Sequence, residues 1–141
     1  TTMTREEQAA LDAVMNFLDS YAQRNIEGCM SAIAVSRAIM LFGTNENEVF
    51  RTSGDLRSAL KRDFASMANI RWGKHRNIHV EVASMFASVI VELPISYQIY
   101  GKGVETLFRY ALTLTKEGEQ WKICSGMASV PFADGTYLFP K

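Results

Sequence analysis

Val89-Ile90-Val91-Glu92-Leu93-Pro94-Ile95-Ser96-Tyr97 decides how this chain is built. Its odd positions are apolar without exception, and that alternation has the period of two that places every second side chain on one face of a β-strand. The same period runs through Ile78, Val80 and Val82 before it. It runs again through Thr106, Phe108, Tyr110, Leu112 and Leu114 after it. Breaks fall at Ser84–Phe86, at Gly101-Lys102-Gly103 and at Glu117-Gly118-Glu119, and a last strand is expected from Gln120 to about Pro131. Turns this short join antiparallel neighbours, since a parallel crossover needs about a dozen residues. Pro94 inside a strand predicts a bulge or an edge position, because proline has no N–H for the ladder.

Upstream of these strands the period is helical. Thr4 and Glu7 have the spacing of a capping box, and Leu11, Val14, Met15, Leu18 and Tyr21, widened by Phe17, form one apolar stripe. Asn25 is read as a stop and a new N-cap for a short helix from Ile26 to about Ile33, weakened by Gly28. Val35 to Phe42 reads as a strand and Gly43 to Asn47 as a polar loop. A third helix starts near Ser53, with Leu56, Ala59, Leu60, Phe64 and Met67 on one face, and the period of two sets in after Asn69. The expected fold is α+β: three helices covering one face of a strongly bent antiparallel sheet, which wraps around the N-terminal helix and encloses a conical cavity. No linker, repeat or low-complexity stretch divides the 141 residues, so one domain spanning 1–141 is expected. The strands are apolar on both faces, as in Phe86 and Ile90 beside Val89 and Val91. A homodimer through the outer sheet face is therefore expected.

Composition narrows the function classes. Fifteen basic residues balance fifteen acidic ones, which argues against nucleic acid or an anionic membrane as partner. The one basic run with an aromatic, Arg71 to Arg76 around Trp72, reads as a solvated loop. Cys29 and Cys124 lie far apart in different elements and read as free thiols of a cytoplasmic protein. No apolar run reaches the ~18 residues needed to span a bilayer, and Thr1 to Gln8 does not read as a signal peptide. His75 and His79, the two histidines, would stand roughly 13 Å apart on a strand, too far to share an ion, so no metal and no cofactor is expected. Phosphate-binding glycine loops and nucleophile elbows are absent.

Three stretches resemble the SnoaL-like domains of the nuclear-transport-factor-two-like superfamily, which also holds ketosteroid isomerase and polyketide cyclases. They are Leu41-Phe42-Gly43-Thr44 with Glu48, Phe108-Arg109 through Leu114, and Gln120-Trp121-Lys122-Ile123 through Ser129-Val130-Pro131. The resemblance covers roughly residues 5 to 132 and implies the cone-shaped fold, but not a function, since the superfamily hosts enzymes, binders and association domains. Carried over from ketosteroid isomerase, the helical tyrosine falls on Phe17, the carboxylate base near Leu41 and the oxyanion acid near Ala111. None of the three can donate or take a proton, so that isomerase chemistry is not implied. Where many relatives carry histidines before the closing Ser-Val-Pro, this chain has Ser125 and Met127.

The remaining polar candidates are few. Arg109 shares a strand face with Leu107, Ala111 and Thr113; it is either an anion-binding group in the cavity or half of an ion pair with Glu92 or Glu105. Glu92 is the one charge between Met85 and Tyr100 and the first candidate for a general base. The expected pocket wall is Phe17, Tyr21, Trp72, Arg109, Ser125, Met127 and Ser129, with Tyr21 and Trp72 either core or closing its mouth. Phe132, Tyr137 and Phe139 in the tail are expected to pack on the domain or on a partner subunit. Three functions fit. A largely apolar cavity would bind a small molecule. An isomerase, cyclase or lyase acting on a carbonyl-containing molecule would use Glu92 and Arg109 at an open floor. An association domain would have its cavity collapsed around Met127 and Phe17. Glu92 and Arg109 paired with each other, away from an open pocket, would favour binding.

Overall fold

The computed structural model describes residues 2–132. Helix α1 (Arg5–Ala22) begins at the expected capping box: the Glu7 amide donates to Thr4 Oγ1 at 3.1 Å, and the Thr4 amide donates to Glu7 Oε1 at 2.7 Å. Its stripe Leu11, Val14 and Leu18 is buried. Past its end, Arg24 takes a left-handed φ of 57°, and Asn25 then caps α2 (Ile26–Met30) by accepting from the Gly28 amide at 3.0 Å. That second helix is three residues shorter than expected.

The strand expected from Val35 begins only at Met40. Strand β1 is Met40–Phe42, and Val35 is 86% exposed. The carboxylate of Glu117 accepts the amides of Val35 and Ser36, so this stretch is satisfied by a side chain and pairs with no strand. β2 (Val49–Phe50) folds back antiparallel on β1. Helix α3 (Ser53–Ser66) starts where expected and is capped by Thr52 and Asp55 as a second capping box. β3 (Met67–Trp72) follows directly, with Asn69 left-handed at φ 53°. β4 (Ile78–Ala83), β5 (Phe86–Ile99), β6 (Lys102–Glu117) and β7 (Gln120–Ser129) complete the sheet.

The sheet order is β2-β1-β7-β6-β5-β3, with β4 also paired to β5. β4 through β7 are antiparallel as the short turns between them require, whereas β1 lies parallel to β7. The result is an α+β fold in which three helices pack against a large, curved, open sheet. Pro94 explains how one long strand serves two short partners. β4 pairs with β5 up to Val91 and β3 takes over from Ile95. Pro94 sits at the changeover, where no N–H is needed, and its carbonyl accepts from the Gly73 amide at 2.8 Å. The tight β5–β6 turn has left-handed φ values at Tyr100 and Gly101, the pattern of a hairpin whose twist matches its strands.

The core lies between α1, α3 and the concave sheet face, where Val89, Val91, Leu93, Ile95, Leu114 and Ile123 are almost wholly buried. No helix among the described residues is long and apolar enough to cross a membrane. Tyr137 and Phe139 lie outside the described residues; Phe132 is at their border and exposed.

Candidate functional site

The concave face does not close completely. A cavity of about 250 Å³ remains between α1, α3, the β1–β2 loop and the inner faces of β5, β6 and β7. Each element contributes by its own period. From α1 come Phe17 and Tyr21, one turn apart. From α3 come Leu56, Ala59, Leu60 and Asp63, again one helical face. From β6 come Phe108, Tyr110 and Leu112, every second residue.

Glu48 and Asp63 are the charged residues in this wall. Asp63 accepts a hydrogen bond from the Tyr21 hydroxyl at 2.8 Å, and Met67 Sδ lies 3.4 Å from the same hydroxyl. Burial holds the Asp63 carboxyl above the usual range, the Tyr21 hydrogen bond works against that rise, and the nearby Glu48 adds to it. Burial first, and the Asp63 charge second, keep Tyr21 neutral far beyond physiological pH. Tyr21 is thus a standing donor, and Asp63 is the member of the pair that titrates. Glu48 is held by its Oε1, which accepts the Asn45 amide at 2.8 Å. Gly43 makes this possible: a Cβ there would stand 2.8 Å from Glu48 Cβ and Cδ. The Tyr110 hydroxyl makes no hydrogen bond among the described residues, and burial raises its pKa. Tyr110 is only partly buried, and it lines the cavity.

The expected site residues divide between two faces. Phe17, Tyr21 and Met127 line the cavity, Met127 at an exposed rim. Arg109, Ser125 and Ser129 do not. Arg109 faces Ser129 and Thr113 faces Ser125 across the β6–β7 ladder, one residue out of step with Tyr110 and Leu112 on the cavity side. Alternation sorted these residues into faces correctly, but the outer face was the wrong one for the pocket. Ala111, carried over as the oxyanion position, is outside for the same reason. Trp72 braces the wall from behind. Its Nε1 donates to the Leu18 carbonyl at 2.7 Å, and its ring meets the edges of Phe108 and Tyr110 with centroids 6.0 and 6.1 Å away.

Glu92 and Arg109 stand directly opposite each other in the β5–β6 register, with Arg109 Nε donating to Glu92 Oε2 at 2.7 Å. Asn77 Nδ2 donates to Glu92 Oε1 at 3.0 Å, and Arg76 approaches to 3.6 Å. Glu92 is 8% exposed because these side chains cover it, not because it enters the core; its pKa is lowered, chiefly by Arg109. A carboxylate so held is a poor general base. His79 contacts Glu81 on the surface, and no cluster among the described residues could hold a metal ion.

Comparison with known proteins agrees with this geometry. The sequence pattern of the SnoaL-like domain matches residues 10–133. The chain belongs to the SnoaL-like domain family. No curated protein matches it. Among solved structures this SnoaL-like domain is similar to a candidate dehydratase of the NTF2-like family from Streptomyces avermitilis. The two are 17% identical over 91% of this chain and 97% of that one, with a TM-score of 0.82. A candidate scytalone dehydratase from Novosphingobium aromaticivorans is 12% identical over 90% and 85%, with a TM-score of 0.79. A ketosteroid isomerase-like protein from Erwinia carotovora atroseptica is 12% identical over 91% and 98%, with a TM-score of 0.77. At these identities the likeness is one of fold.

Sequence reading passed over Asp63, Glu48 and Tyr110. Asp63 carried a signal: it lies four residues after Ala59, three after Leu60 and four before Met67, a lone charge in an apolar helical stripe. We predict that Asp63→Asn raises stability at neutral pH by up to about 1 kcal/mol. The folded protein holds the Asp63 proton to higher pH than the unfolded chain does, so stability falls as pH rises from the ordinary aspartate value of 3.8 through the raised folded value. Asparagine removes that loss and still accepts from Tyr21. Urea unfolding of both proteins from acid to neutral pH should give curves that meet at low pH and diverge above it. A less stable variant at neutral pH would contradict the assignment.

Proposed function

We propose that this domain binds a small, largely apolar molecule in the cavity between α1, α3 and the concave sheet face. One observation carries the reading: the cavity stays open, while Glu92 and Arg109 close on each other on the opposite face. A space of 250 Å³ is near the lower end of ligand pockets and matches about eight waters at ~30 Å³ each, so the ligand is on the order of ten non-hydrogen atoms. A crystal structure of protein purified from cells without added ligand tests this. Shaped density within hydrogen-bond reach of Asp63, Glu48 or Tyr110 supports it; a cavity holding only water, unchanged after soaking with phenethyl alcohol, refutes it.

An isomerase, cyclase or lyase acting on a carbonyl-containing molecule is the second reading. It is favoured by the raised pKa of Asp63 beside a neutral tyrosine donor, a pair suited to moving a proton, and not by Glu92 and Arg109. The dehydratase and isomerase names of the structural relatives accord with it without assigning it.

We also propose that a second copy covers the outer sheet face. Phe86 and Ile90 are 42% and 46% exposed there, and Ile90 stands opposite Ala111 on the same face of the β5–β6 ladder. Sedimentation should show a dimer that Ile90→Glu converts to a monomer; a monomeric wild-type protein at micromolar concentration overturns this. Free, buried Cys29 and Cys124 suit a reducing, cytoplasmic setting.

A further inference from the structure

The cavity wall is electrostatically one-sided. Among the described residues its charged members are two carboxylates, and no lysine, arginine or histidine lines it. Asp63 uses Oδ2 for Tyr21 and Glu48 uses Oε1 for the Asn45 amide. Asp63 Oδ1 and Glu48 Oε2 accept nothing from the described residues. The Tyr110 hydroxyl, unbonded on the same wall, adds a third open lone-pair position. The rest of the lining is mostly apolar, with aromatic rings from Phe17, Phe50, Tyr97, Phe108 and Tyr110 and small polar side chains from Thr44, Asn45 and Ser66. Arg24, in the turn after α1, and Arg62, on α3, lie outside the lining; Arg24 is engaged with the Phe64 carbonyl.

Such a wall repels anions and offers a neutral carbonyl few donors. Tyr21 already donates to Asp63, which among the described residues leaves the Tyr97 and Tyr110 hydroxyls as the phenols still free to give a hydrogen bond. The unfilled requirement is for hydrogen-bond donors carrying positive charge. Aromatic faces add to it, since ring quadrupoles attract cations most strongly where water is excluded. Charge-assisted hydrogen bonds from an ammonium group to carboxylates are about twice as strong as neutral ones.

We infer that the cavity selects a protonated amine with an apolar body, its ammonium group held between Asp63, Glu48 and Tyr110. The inference rests on the cavity being a ligand site and adds the chemical class of the ligand. Asp63 takes the ammonium on its free Oδ1, while Tyr21 keeps the carboxylate oriented. Glu48, fixed by Asn45 and by the absence of a side chain at Gly43, closes the other side.

Calorimetric titration of the full chain with phenethylamine, phenethyl alcohol and phenylacetate tests this, because the three share an aromatic body and differ in the polar group. The amine should bind at least about ten-fold more tightly than the alcohol, and phenylacetate most weakly. Asp63→Asn should lower amine affinity about ten-fold while leaving the alcohol within about two-fold, which also shows that the variant is folded. Glu48→Gln should act in the same direction. Alcohol binding as tight as the amine, or an amine preference that survives in both variants, overturns the inference and leaves the apolar pocket standing. Binding by none of the three overturns the pocket as well.

Discussion

Gly126→Ala is expected to leave little cooperatively folded protein, the largest single-residue effect in this chain. Gly126 has φ 138°, a conformation that side-chain-bearing residues rarely adopt, and it pairs with Leu112 on one side and Leu41 on the other. A Cβ there would stand 2.2 Å from the Ala111 carbonyl oxygen and 2.8 Å from Leu112 Cα. Both are backbone atoms of β6, so relief requires breaking the ladder rather than turning a side chain. The position follows from the irregularity just before it. Leu114 faces Ile123 while Thr113 faces Ser125, which leaves Cys124 as an extra residue in β7 and bends the sheet toward the helices. Backbone strain of this kind costs about 1–3 kcal/mol, and the clash adds to it, so a loss of at least about 3 kcal/mol is expected. That is a large share of the ~5–15 kcal/mol that holds a domain folded. Thermal and urea unfolding would measure it, with Gly103→Ala as comparison, since nothing lies within 4 Å of a Cβ at Gly103. Gly126→Ala melting within a few degrees of the unsubstituted chain would show that the bulge is not needed.

Ala128→Trp should have the largest effect on binding. Ala128 lies opposite Tyr110 in the β6–β7 register, and both line the cavity. An indole there occupies much of the 250 Å³, and filling an existing space is tolerated far better than overpacking a closed core. The variant is therefore expected to fold with near-native stability and to lose phenethylamine and phenethyl alcohol binding by about a hundred-fold or more, as a pocket that buries most of its ligand implies. Unchanged affinity in a folded variant would move the ligand site elsewhere on the molecule and remove the basis for the cavity readings.

Local patterns made much of this architecture legible. One capping box, two apolar helical stripes and three alternating strands are statements about near neighbours, and such neighbours interact whatever the rest of the chain does. Even the stretch that failed, Val35 to Ile39, failed for a long-range reason. Glu117, 81 residues along from Ser36, supplies the hydrogen-bond acceptor that a partner strand would have supplied. Alternation also gathered Arg109, Ser125 and Ser129 on one face and Phe108, Tyr110 and Leu112 on the other.

The chain by itself thus determined which residues travel together: the elements, their order and the membership of each face. Only the tertiary structure decided which face of β6 meets the helices, because a period of two is symmetric and carries no sign for inside and outside when both faces bear apolar residues. That one choice pairs Glu92 with Arg109 outside the cavity. It also brings Asp63 of α3 and Tyr21 of α1, 42 residues apart, to a shared hydrogen bond within it.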